Sequence, residues 1–318
     1  MMQNFEINSD QIDKIKKLTL EEKKFRIKNL EFFKSSGFPS KRLEDWKFSD
    51  FKDIVNNNFE NLEVKNILTN LNNIDRLKDF DHNHIILVNG NLHLSNFDYE
   101  EKNKIKIHPY TNSINHELSE NPLVCLNHAF AENGYSLEVE KNYKLKKIVV
   151  IYNFFTKDTQ NKILNNKNKI KIKENSEAHI IEYTIIKSKS KFINNSYENI
   201  ILEKNSKLKN LYLQDGRSKG FFHKFLKSKL SFNSDYSNLI FSSGLKFNKL
   251  DIQCDMMEEN SKCNILSALY LNNEEHQEIK TRINHFSPNC KSYQKVKNVL
   301  ASESKGIFQG KIHVKDVA

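Results

Sequence analysis

The chain of 318 residues predicts a mainly β fold, a parallel β-helix preceded by a helical and mixed segment, and three observations carry that prediction. The first is a repeat: Asn-Ser stands at Asn175-Ser176, Asn205-Ser206, Asn233-Ser234 and Asn260-Ser261 and weakens to Asn289-Cys290, at spacings of 30, 28, 27 and 29 residues. A fixed period of this length marks an array whose units bury apolar surface only against their neighbours. The second is the character of the flanks. Ile200-Ile201-Leu202, Leu211-Tyr212-Leu213, Leu239-Ile240-Phe241 and Leu269-Tyr270-Leu271 are β-rich and too short for a typical helix. The third is local chemistry, since Asn tolerates left-handed backbone, Asn and Ser both bond nearby backbone, and stacked Asn amides can form a ladder. Successive coils are expected about 4.8 Å apart.

Aligning the units on the Asn sorts the remaining positions into columns. Three residues before it stand Ile172, Leu202, Leu230, Met257 and Phe286, expected inside. Six after it stand Ile181, Leu211, Leu239 and Leu266, also expected inside, with Lys295 breaking the series. Two after it, Glu177, Lys207, Asp235, Lys262 and Lys291 alternate in sign along most of the outside.

Taken in order, residues 9–36 read as helical. Thr19 and Glu22 fit a capping box, Phe25, Ile27, Leu30 and Phe33 give a partial apolar stripe, and Gly37 then Pro39 end the element. After the segment holding the sole tryptophan, Trp46, a second amphipathic helix is expected through Leu62, Val64, Ile67, Leu68, Leu71, Ile74 and Leu77. Residues 85–88, the pair Asn89-Gly90, Leu92 and Leu94 read as a hairpin. Asn121 as cap, Pro122 at the first helical position and Gly134 beyond the end define a short helix. Solenoid strands then begin near Leu137, residues 148–152 forming an early rung without the Asn-Ser mark. The expected division is a helical and mixed domain over 1–134 and a β-helix over 135–318.

The composition excludes several function classes. Net charge is +10, but the lysines are spread through Asn-rich stretches such as 165–173, without a basic block or aromatic platform, so a solvated surface is expected rather than nucleic-acid binding. The opening residues are polar and the longest aliphatic run, 148–151, is far below the roughly 18 residues that span a bilayer, so a soluble cytoplasmic protein is expected. Cys125, Cys254, Cys263 and Cys290 show no paired spacing, and their offsets from the corner Asn differ, so they are not expected to converge. Cys263 joins a column with Ala178, Leu208 and Tyr236, while Cys290 replaces the corner Ser. His285 lies five residues before Cys290, but two isolated ligand types fall short of the four a cluster usually needs. Glu203 and Glu258 share a column two coils apart with Ser231 between, roughly 10 Å of separation. That spacing weakens the alternative of a β-helix polysaccharide-active enzyme. No catalytic, cofactor-binding or metal residue is assigned.

Several residues carry a family resemblance: Gly37, Pro39 and Glu44-Asp45-Trp46-Lys47; Asn89-Gly90 and Leu94-Ser95; and Asn121-Pro122-Leu123 with Leu126, Asn127, Ala129, Phe130 and Gly134. Near the end stand His285, Pro288, Cys290, Ser292, Gln294, Val299-Leu300 and the run Phe308-Gln309-Gly310-Lys311-Ile312-His313-Val314. In these the chain resembles the SufB/SufD family of the SUF iron-sulfur cluster assembly scaffold, the early motifs favouring the SufD branch. The resemblance implies a right-handed β-helix and a non-catalytic scaffold subunit that pairs with a SufB-like subunit and works with the ATPase SufC. It also implies that the helical C-terminal domain docking SufC, and a Cys-x-His-Gly segment, lie beyond Ala318. The iron-sulfur cluster, and the flavin associated with such complexes, belong to the complex rather than to this chain alone, and no flavin-binding motif is visible. A structural solenoid adaptor with another partner is the remaining alternative.

Overall fold

The structure, a computed structural model, describes residues 5, 7–69, 71, 74, 76–110 and 119–316. Strands account for 49% of it, and they wind into a parallel solenoid of about six turns. Each coil gives one strand to each of two sheets. A helix-side sheet runs from Ile105–Pro109 and Tyr135–Val139 through Lys162–Ile172, Phe192–Leu202, Ser218–Leu230, Leu245–Met256 and His276–His285 to Lys305–Val314. A far sheet runs from the hairpin Asn83–Val88 and Asn91–Asn96 through Val149–Phe155, Glu177–Ile186, Lys207–Gln214, Asp235–Ser242 and Lys262–Leu271 to Lys291–Leu300.

The corners form as the repeat predicts. Asn175, Asn205, Asn233, Asn260 and Asn289 all take left-handed backbone, with φ of 57°, 57°, 53°, 60° and 60°. The amides of the first three stack: Asn205 Nδ2 donates to Asn175 Oδ1 at 2.9 Å and Asn233 Nδ2 to Asn205 Oδ1 at 2.9 Å. The ladder reaches one coil further back than the Asn-Ser repeat, because Asn142 (φ 58°) accepts from Asn175 Nδ2 at 2.8 Å. The early rung therefore has the same corner with Tyr143 in place of Ser.

Burial of the corner Ser fixes which way every later side chain points. Ser176, Ser206, Ser234 and Ser261 are sealed, so strand alternation turns odd offsets from the Asn inward and even offsets outward. Ala178, Leu208, Tyr236 and Cys263 accordingly form an inner column. The column at six residues, Ile181, Leu211, Leu239 and Leu266, is in register but lies on the outside, and Leu239 is 39% exposed. Its apolar character had pointed inward; parity overrules it. The column three residues before the Asn also needs correction. Ile172, Leu202 and Leu230 are in register with Met256 and His285 rather than with Met257 and Phe286. The last two corners hold one residue more, which pushes Met257 out to 46% exposure.

The N-terminal elements follow their local signals in part. The helix Leu20–Ser36 starts at a reciprocal Thr19–Glu22 capping box and ends at Gly37, whose φ of 68° suits a residue without Cβ. The helix Pro122–Phe130 starts at Asn121, whose side chain accepts from Leu123 N at 3.0 Å. Gly134 is required for another reason: a Cβ there would stand 1.8 Å from the Lys167 carbonyl oxygen. The hairpin turn Asn89-Gly90 has positive φ at both residues, as a type I′ turn needs.

The helix expected between Leu62 and Leu77 does not form in the described residues; residues 70, 72, 73 and 75 of that segment lie outside them. The chain is extended instead, with Glu63-Val64 paired to Lys162-Ile163. Leu71, Ile74 and Leu77 pack over Ile86, Val88, Val150, Tyr152 and Phe154 on the outer face of the far sheet. The spacing of apolar residues was legible, but a sheet edge and an apolar sheet face offered partners that helical hydrogen bonds in an Asn-rich stretch could not outweigh.

The solenoid interior holds buried polar side chains among its apolar ones, and an ion cluster stands at its middle. There Lys224 Nζ lies 2.5 Å from Glu182 Oε2 and 2.9 Å from Glu198 Oε2, and Asn210 Nδ2 donates to Glu182 Oε1 at 2.7 Å. Burial, reinforced by Glu182, pushes the Glu198 carboxyl up to about 7. Burial alone would lower Lys224, but the two carboxylates outweigh it and hold the ammonium above its ordinary value.

Two measurements follow from this interior. Leu208→Asp should destabilise by about 3–5 kcal/mol and Leu211→Asp, three positions along the same strand on the opposite face, by no more than about 1 kcal/mol in urea unfolding. Equal effects would show the parity to be wrong. Glu198 binds its proton more tightly in the folded state than at its ordinary value of 4.5, so it adds stability below 4.5 that is lost as pH rises to about 7. Urea midpoints of the native protein should fall relative to those of Glu198→Gln across that interval, and parallel curves would show that Glu198 titrates normally. Lys224→Met, which strands two buried carboxylates, should cost about 3–5 kcal/mol at neutral pH.

Candidate functional site

The polar groups that sequence columns alone did not mark lie on the outer face of the helix-side sheet. Asn165, Asn195, His223, Lys249 and Glu278 are in register on successive strands and all buried. They are buried because the N-terminal helices dock over them. Asn127 Nδ2 donates to the carbonyls of Asn166 (2.9 Å) and Asn195 (2.8 Å), and Asn195 Nδ2 returns a bond to Leu123 O at 2.8 Å. Arg26 donates to Ala129 O and Ala131 O, tying the first helix to the second.

Trp46 is the centre of this seam. It is 1% exposed, its ring centroid lies 5.4 Å from that of His223, and Lys249 Nζ sits 4.8 Å above it. Around it the charges interlock: Lys249 pairs with Glu278 and lies 3.3 Å from Asp251 Oδ1, while Asp251 Oδ2 is 3.2 Å from His223 Nε2 and accepts from Asn121 Nδ2 at 3.3 Å. Burial would raise the Asp251 carboxyl, yet Lys249 and His223 hold it below its usual range. Trp46 is thus a core residue, with Glu44 exposed and Asp45 paired to Lys280.

Ser49 resembles a nucleophile on paper, with Oγ bonded to Glu278 Oε2 and 2.8 Å from His276 Nε2. The surroundings argue otherwise. Ser49 is 1% exposed, and burial pushes His276 down to about 4, so the imidazole is neutral. This cluster seals the junction between the short turn at Glu44–Trp46 and the sheet. Beside it opens a cleft of about 790 Å³, bordered by Leu43, Asp45, Asn121, Tyr197, Lys227 and Arg282.

The residues weighed from sequence fall as follows. His285 Nε2 is 2.9 Å from Ser292 Oγ, and Cys290 Sγ is 3.3 Å from Ser261 Oγ and 3.4 Å from the Glu258 carbonyl, so both belong to corner structure. No group of three or more His, Cys, Asp or Glu able to hold a metal occurs among the described residues. Glu203 and Glu258 do not face each other across a groove. Each caps a corner, accepting from Glu174 N at 3.1 Å and Phe232 N at 2.9 Å respectively, and the longer corner shifts Glu258 out of the Glu203 column. Cys254 and Cys263 stand on opposite sheets, and both belong to the buried apolar cluster inside the solenoid. Offset from the corner Asn sorts residues within one sheet and says nothing of contact across the core.

The seam had one signal in the sequence, polar residues recurring ten or eleven positions before each corner Asn. Only docking of the helices shows that they are sealed.

Comparison with known proteins agrees with this architecture. Residues 154–318 match the family described as SUF system FeS cluster assembly, SufBD core domain. No curated protein matches the chain. The matched segment, just over half of the sequence, is the part that forms the later coils of the parallel solenoid, and the chain therefore belongs to the SufBD core family of the SUF iron-sulfur cluster assembly system.

Proposed function

We propose that the chain acts as a non-catalytic scaffold subunit of SufD type, pairing with a SufB-like subunit and working with the ATPase SufC in the cytoplasm. The observation that carries this reading is the SufBD core match across the solenoid. The geometry supports it. The polar clusters found in and on the solenoid are engaged in holding strands, corners and helices together, and the carboxylates that a polysaccharide-active enzyme would need are spent on corners. No helix of the described residues is long and apolar enough to cross a membrane. The cluster under assembly is cargo of the complex, as is any flavin; we assign no residue of this chain to either. The N-terminal helices are taken as a cap that the seam fixes to the solenoid.

Co-expression tests the reading. The chain should co-purify stoichiometrically with a SufB-like subunit, and anaerobic reconstitution with iron and sulfide should load a cluster on the complex with SufC but not on this chain alone. A stoichiometric cluster on the isolated chain that is lost in Cys290→Ser would overturn the assignment and make Cys290 a ligand.

A further inference from the structure

The corners that return the chain from the far sheet to the helix-side sheet differ in length from coil to coil. They span 187–191, 215–217, 243–244, 272–275 and 301–304, so the middle one is the shortest. Longer corners reach further from the strand ends than short ones. Along this edge they enclose a groove of about 990 Å³ that crosses all five. Its floor is backbone packed on backbone. Gly244 has φ of 85°, and a Cβ there would stand 2.5 Å from the Gly216 carbonyl, while Ser218 N donates to Gly244 O at 2.7 Å. Glu275 belongs to the floor as well: it is buried and accepts from Gly244 N and Asn272 N, both at 3.2 Å.

The charge on the walls changes sign along the groove. At the end nearer the first coils stand Lys189, Arg217 and Lys219, all exposed and none paired with an acid among the described residues. At the far end stand Glu274, paired with Lys246, and Glu303, which is exposed and has no cationic partner among the described residues. We propose that this groove docks an extended segment of a partner protein, acidic where it crosses Lys189, Arg217 and Lys219 and basic where it reaches Glu303. The sign change selects the class of partner. A nucleic acid or a polyphosphate would be attracted at the first end and repelled at the second, whereas a peptide carries both signs within a few residues. The length agrees: four coil spacings of about 4.8 Å make roughly 19 Å, which an extended chain advancing about 3.3 Å per residue covers with about six residues.

Fluorescence anisotropy with the full chain tests the groove at about 50 mM salt, where exposed charges are weakly screened. The probes are a labelled block peptide of three glutamates, two glycines and three lysines, an alternating peptide of the same composition, and inorganic polyphosphate. The block peptide should bind saturably, several-fold more tightly than either of the others, and should weaken as salt is raised. Joint replacement of Lys189→Glu and Arg217→Glu, both exposed and checked by circular dichroism, should weaken it several-fold. Glu303→Lys should weaken the block peptide and strengthen polyphosphate. Absence of saturable binding, equal affinity for the block and alternating peptides, or native affinity in the joint variant would overturn the groove as a docking site. Tighter binding of polyphosphate than of the block peptide would overturn a protein segment as its occupant. So would a dimer in sedimentation velocity that the joint variant dissociates, because a second copy of the chain would then fill the groove.

Discussion

The fold depends on one residue type in one conformation. An Asn at φ near 57° turns each corner, and from Asn142 through Asn175 and Asn205 to Asn233 its amide bonds to the Asn of the neighbouring coil. Left-handed backbone costs most residues about 1–2 kcal/mol, and Asn is among the few that adopt it readily. Once the corner is fixed the Ser after it is inside, and with it the facing of every following strand residue. That is why Leu211, Leu239 and Leu266 lie outside in spite of their character.

Within that frame the interior is not uniformly apolar. A lysine between two glutamates at the centre of a solenoid is costly to desolvate, and only close pairing with Asn210 in support makes it tolerable. The triad bears a net negative charge when both carboxylates are ionised. The raised value of Glu198 shows how the core relieves it, by retaining a proton up to near neutrality.

The N-terminal helices are joined to the solenoid by an apolar layer, Trp46, Phe51, Leu123 and Leu126 against Ile163, Ile193, Phe221 and Phe247, with a polar seam running through it. Asn127 and Asn195 bond across the seam, while His223, Lys249 and Glu278 pair along the sheet beneath the helices. Lifting them off would expose a paired network to water and leave Trp46 uncovered.

The sequence by itself determined the periodic architecture, the corners, the capped helices and the hairpin, because these rest on backbone preferences of Asn, Gly, Pro and Thr acting within a few residues. It also carried the family, through short motifs whose spacing survives without knowledge of the fold. Tertiary structure alone decided the rest. It placed Met256 and not Met257 inside, because one added corner residue shifts the register. It left the segment from Leu62 extended, because the solenoid offered it an edge and a face to cover. It brought Lys224 to Glu182, because contact between facing sheets depends on how coils close in space, a distance that no spacing along the chain encodes.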